Sequence, residues 1–197
     1  MTTNSNLKTK DKLIAGFVVI FILLLVYVWF SPSGLKVVPN LELTTITGKK
    51  IKLESFRGQP ILVTFWATSC SGCVKEMPHL IDMYNTYASQ GLKIIGISMP
   101  YDRPDHVIKM ATQKKLPYTI AMDINKKAVE AFGGVSLTPT TFLIAANGTI
   151  VRYKIGEFDT KAVTTQIELL LADAQKTKTG ISSSSHTLQP TNGVKKL

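Results

Sequence analysis

Two cysteines, Cys70 and Cys73, are the only ones in this 197-residue chain, and two residues separate them. A secreted domain stapled by disulfides would carry more cysteines, more widely spaced. A bond between these two closes too short a loop to add much stability. The spacing instead suits chemistry. If a helix starts at this point, Cys70 lies at its N-terminus, where unpaired N–H groups and the helix dipole favour a thiolate. It can then attack a disulfide, and Cys73, one turn further in, can attack the mixed disulfide and release the product.

Other uses of the pair compete. Two cysteines supply half of a tetrahedral zinc site, and His79, His106 and His186 are too scattered to complete it. A Cu(I) chaperone meets the same scarcity of nearby His and Met ligands. A peroxidase would want a threonine and an arginine around its cysteine. Thr68 is two residues away, but the nearest arginines are Arg57 and Arg103. Neither a metal nor a cofactor is expected.

The elements around the pair support a helix start. Ile61–Trp66 (ILVTFW) is a short apolar run of β-branched and aromatic residues, the pattern of a buried strand. A helix from about Ser71 to Ser89 follows, then a second buried strand over Lys93–Ser98. Pro104–Lys115 fits a helix with proline in its first turn. Tyr118–Met122 reads as a strand and Asn125–Phe132 as a short helix. Thr140–Ala145 and Thr149–Lys154 flank Asn147-Gly148, a signal for a two-residue hairpin. Thr47-Gly48-Lys49 punctuates another hairpin, between Leu41–Ile46 and Lys50–Leu53. Asp159 suits the cap of a last helix ending near Ala174. Parallel units followed by an antiparallel hairpin make an α/β sheet with helices on both faces.

Before this domain, residues 13–30 (LIAGFVVIFILLLVYVWF) carry no charge. At 1.5 Å per residue the run nearly spans a hydrocarbon core of about 30 Å. A cleaved signal peptide is the rival, but its apolar stretch is usually about 7–15 residues long and ends in small residues. This run is longer and ends in Tyr27, Trp29 and Phe30, the aromatic edge of a membrane anchor. Lys8, Lys10 and Lys12 precede it and only Lys36 follows closely. Residues 1–12 are therefore expected in the cytoplasm and the remainder outside. Residues 31–38 read as a linker, 39–174 as the domain, and the polar, Ser/Thr-rich 175–197 as a disordered tail.

The net charge of +10 is not a nucleic-acid signal. The N-terminal flank contributes +2 and the tail from Ala174 +4. Residues 35–173 hold 16 basic and 12 acidic side chains, a scattered excess of +4 on a solvated surface.

The stretch FWATSCSGCVKEMP (Phe65–Pro78) resembles the active-site segment of thioredoxin-like proteins, in particular the TlpA/ResA-like group of membrane-tethered reductases. Pro78, eight residues after Cys70, stands where thioredoxins carry a helix-kinking proline. Val135 and Thr138–Ile144 (TPTTFLI) resemble the loop and strand of the family's cis-proline. The similarity spans roughly Pro39 to Ala172. It implies a thioredoxin-like α/β fold, a central mixed sheet flanked by helices, with an N-terminal β-hairpin and a central strand–helix insertion, preceded by one transmembrane helix. It implies further that Cys70 and Cys73 form a redox-active disulfide and that Pro139 is a cis-proline facing Cys70. Thr138 would pair with a client strand, with Ser69 on the client-facing rim and Trp66 flanking the site, where it packs more than it binds. Glu76, one turn beyond Cys73, matches the group as a proton carrier for Cys73. The buried acid of thioredoxin is replaced here by Thr64. Two departures stand out: Ser69 where a second tryptophan is usual, and Ser71-Gly72 without the frequent proline.

The expectation is a thiol-disulfide oxidoreductase at the outer, periplasmic face of a bacterial inner membrane. Its partners would be protein disulfides, such as apocytochrome c or copper-site proteins, and a membrane-embedded thiol electron donor. A disulfide-forming oxidase or peroxidase, and a copper chaperone, are the rivals.

Overall fold

The computed structural model of the protein describes residues 16–23 and 37–184, in two units, Met1–Gly34 and Leu35–Leu197. In the first unit, residues 16–23 are helical with exposed side chains. The rest of the expected span, 13–15 and 24–30, lies outside the described residues, as do residues 1–12. Among the described residues no helix is long and apolar enough to cross a membrane.

The second unit is built on seven strands. These are β1 (Glu42–Thr45), β2 (Lys50–Lys52), β3 (Ile61–Trp66), β4 (Lys93–Ser98), β5 (Thr119–Met122), β6 (Thr140–Ile144) and β7 (Ile150–Ile155). They form one sheet in the order β2-β1-β5-β4-β3-β6-β7. Strands β3, β4 and β5 run parallel; β6 and β7 are antiparallel on one side, and β1 and β2 on the other. The helices are α1 (Ser71–Tyr87), α2 (Pro104–Gln113), α3 (Lys127–Ala131) and α4 (Thr160–Ser184), with a 3-10 turn at Leu53–Phe56.

Strand alternation sorts the core into two layers. Leu62 and Trp66 of β3 point to the face covered by α1, α2 and α4, with Cys73, Met77, Leu80, Val107, Val163 and Ile167. Val63 and Phe65 point the other way, where Phe65 meets Phe132 and Phe142 edge-on at centroid distances of 5.3 and 6.0 Å. With β3 inside the sheet, between β4 and β6, and buried along its whole length, the loop after Trp66 leaves a rigid base.

Three expectations are corrected. First, Asn147-Gly148 does not form a two-residue hairpin. Gly148 N–H donates to the Ala145 carbonyl and only Gly148 takes positive φ (88°), so Ala146 and Asn147 are the corners of a three-residue loop. The Thr45–Lys49 turn repeats this pattern around Gly48. Second, Val38, placed in the linker, is buried, and its N–H donates to Gly148 at 2.8 Å. Third, α4 continues to Ser184, ten residues past the expected end at Ala174. Residues 175–184 hold no proline, and the one glycine among them, Gly180, costs a helix only about 1 kcal/mol. Residues 185–197 lie outside the described residues.

Candidate active site

The site forms where β3 ends. After Trp66 the chain turns, with the Cys70 N–H donating to the Ala67 carbonyl at 3.1 Å, and α1 begins at Ser71. Cys70 is the N-cap. Its Sγ accepts the Cys73 N–H at 3.1 Å, so a backbone donor already points at the sulfur that would carry charge as a thiolate. Cys70 and Cys73 are bonded to each other. Cys70 is half-buried while Cys73 is only 3% exposed. Only the outer sulfur is open to a large partner, an arrangement in which Cys70 could attack and Cys73 resolve.

A clasp absent from the sequence reading holds this turn in place. Asp102, in the β4–α2 loop, accepts from both the Thr68 N–H and the Thr68 hydroxyl at 2.6 Å. The Thr68 hydroxyl thereby gives its proton to Asp102 and not to Cys70. Arg103 pairs with Asp105 at 3.0 Å. Among the described residues, no three His, Cys, Asp or Glu side chains converge as metal ligands would.

The Thr138–Pro139 bond is cis, as the resemblance implies. Pro139 is buried against the cysteine loop: a β-carbon on Gly72, between the two cysteines, would lie 3.5 Å from Pro139 Cδ. Thr138 is half-buried beside it and Ser69 is exposed on the rim. Trp66 is different. It is the last residue of β3, pointing to the helix face, and is buried at 3% exposure among Cys73, Met77 and Phe158. It supports the site from behind and does not border a client.

Glu76 shares the inner face of α1 with Cys73 and is 4% exposed. Its Oε1 accepts the Phe158 N–H at 2.7 Å; its Oε2 has no hydrogen-bond partner among the described residues. Burial pushes its carboxyl up to about 7, against the Phe158 bond and with help from the charge of Glu157. A carboxyl that titrates near neutrality can both take and return a proton. Burial, with the Glu76 charge nearby, also holds the Tyr118 hydroxyl above its ordinary range. Where thioredoxin has a buried acid, Thr64 lies opposite Thr141 of β6, whose hydroxyl donates to it at 3.2 Å. That pair satisfies itself and cannot titrate near neutrality, so Glu76 is the buried acid on the cysteine side of the sheet.

Comparison with known proteins agrees with this geometry. Residues 35–153 match the model of the AhpC/TSA family. The chain is 36% identical over 123 residues to the thiol-disulfide oxidoreductase ResA of Bacillus thuringiensis, covering 62% of this chain and 69% of that protein. It is 35% identical over 137 residues to the DipZ protein of Mycobacterium bovis, covering 68% of this chain but 20% of that one. The crystal structure of the thioredoxin domain of a Bacteroides vulgatus thiol-disulfide oxidoreductase superposes with a TM-score of 0.61 at 26% identity, over 72% of this chain and 99% of the other.

Proposed function

The chain belongs to the AhpC/TSA family as a TlpA/ResA-like protein of thioredoxin fold, and we propose that it works as a membrane-tethered reductase of protein disulfides. It is a thiol-disulfide oxidoreductase acting through Cys70 and Cys73. In the reducing direction the Cys70 thiolate attacks one sulfur of a client disulfide, forming a mixed disulfide and releasing the other client sulfur as a thiolate. Cys73 passes its proton to Glu76 and attacks Cys70 Sγ, freeing the second client sulfur. The client gains two electrons, its two thiolates take up the proton held by Glu76 and the one Cys70 lost to solvent on ionising, and the protein ends with the Cys70–Cys73 bond. A thiol donor of the membrane returns the pair to the dithiol. The observation that carries the reading is the half-exposed Cys70 at a helix start, bonded to a buried Cys73 and flanked by cis-Pro139.

The tether rests on the uncharged run 13–30, the lysines before it and the aromatic residues at its end. With the N-terminus inside, the domain faces the periplasm or the outer surface, beside clients under assembly. Apocytochrome c and copper-site proteins are the clients that the family resemblance suggests.

The direction is tested by the equilibrium potential of the Cys70/Cys73 couple. A reductase is expected near thioredoxin's value of about −270 mV, and a value near about −120 mV, that of a strong oxidant, would reverse the assignment. The tether is tested by protease treatment of intact spheroplasts. Cleavage of the domain from outside, with membrane association retained in carbonate, is the expected pattern. Protection of the domain or its release by carbonate would refute it.

A further inference from the structure

Gly72 lies between the two cysteines and has no side chain, and Glu157 fills the space above it. A β-carbon on Gly72 would lie 3.2 Å from Glu157 Oε1 and 3.5 Å from its Cγ, on the side where Pro139 Cδ also closes in at 3.5 Å. The backbone on both sides of Glu157 is fixed to the site. Gly156 N–H donates to the Pro139 carbonyl at 2.8 Å, and Phe158 N–H donates to Glu76 at 2.7 Å. The intervening side chain is exposed. Its ion pair with Lys75 spans 3.9 Å between two side chains 55% and 72% exposed, a contact that an incoming group displaces at little cost. Besides Lys75, Glu157 acts electrostatically on Glu76, whose carboxyl is buried beneath the site and out of a client's reach. A client whose cysteine reaches Cys70 alongside Pro139 must pass this carboxylate.

Building on the reductase reading, we infer that Glu157 is a specificity residue of this site, favouring client disulfides with a lysine or arginine next to the attacked cysteine. The carboxylate takes the room that a side chain at position 72 would occupy, so the missing proline and the acidic rim are two halves of one feature.

The test uses the full-length, reduced protein and two disulfide peptides that differ only in Lys or Glu beside the cysteine. For the wild-type protein the Lys peptide is expected to be reduced about two- to five-fold faster, the range of an exposed ion pair. Glu157→Gln brings the ratio near one, Glu157→Lys inverts it, and high salt erodes it. Taking the ratio of two peptides on one protein cancels any change in cysteine or Glu76 reactivity. A wild-type ratio of one, or a preference that survives in Glu157→Gln, overturns the inference while leaving the reductase reading intact. Reduction of neither peptide overturns both.

Discussion

Cys73→Ser is expected to turn the protein into a trap. Cys70 still attacks the client, but nothing inside resolves the mixed disulfide, so turnover of protein disulfides falls to background while a near-stoichiometric covalent adduct accumulates. Cys70→Ser loses turnover equally but forms no adduct, because Cys73 is 3% exposed and no client sulfur reaches it. The asymmetry follows from geometry. One sulfur caps the helix at the rim with the Cys73 N–H pointed at it; the other lies in the core with Trp66 and Met77. Non-reducing electrophoresis with peptide mass mapping reads the result. Equal adduct yields from the two variants would mean that the sulfurs are equally accessible and would sink the division of roles. The trapped species would also identify the client.

What could be read from sequence was local. The cysteine pair, the apolar strand before it and the helix after it lie within some 30 residues, and each carries a pattern of its own. Apart from Thr138 and Pro139, which the family resemblance picks out, parts of the site made by distant residues carried no such signal. Asp102 is 34 positions from Thr68 and sits in a loop where an acid is ordinary. The Phe158 N–H that holds Glu76 is 82 positions away, and a backbone donor leaves no trace in residue type. Trp66 lies near Cys70 in sequence, but nearness along the chain does not make it a residue that borders a client; packing is its expected use. The alternation of β3, with Leu62 and Trp66 on one face, turns it inward. The Asn-Gly turn failed for a related reason: a single dipeptide does not determine the loop length, which the pairing of β6 with β7 sets here.

Glu76→Gln is expected to change the pH response of both stability and catalysis, and the two readouts separate its roles. The carboxyl is raised from 4.5 to about 7 in the fold, chiefly by burial. Between those values the unfolded chain has lost the proton and the native protein keeps it, so native stability falls as pH rises. At about 1.4 kcal/mol per unit, the wild-type protein loses about 3 kcal/mol on this account between pH 4.5 and 7. The loss levels off above pH 7, where both states are ionised. Glu76→Gln lacks this slope, whatever its absolute stability, and urea unfolding at pH 5 and pH 8 measures the difference. In catalysis, the wild-type carboxylate appears as pH rises through about 7 and can then accept the Cys73 proton. In the variant, resolution of the mixed disulfide must wait for the buried Cys73 thiol to ionise without a neighbouring base. At neutral pH the resolution step should slow by about 10²-fold, the low end of general-base catalysis. Attack by Cys70 on a small neutral disulfide should change much less. A variant with the lost stability slope but an unaltered resolution profile would leave Glu76 as a buried charge with no part in proton transfer.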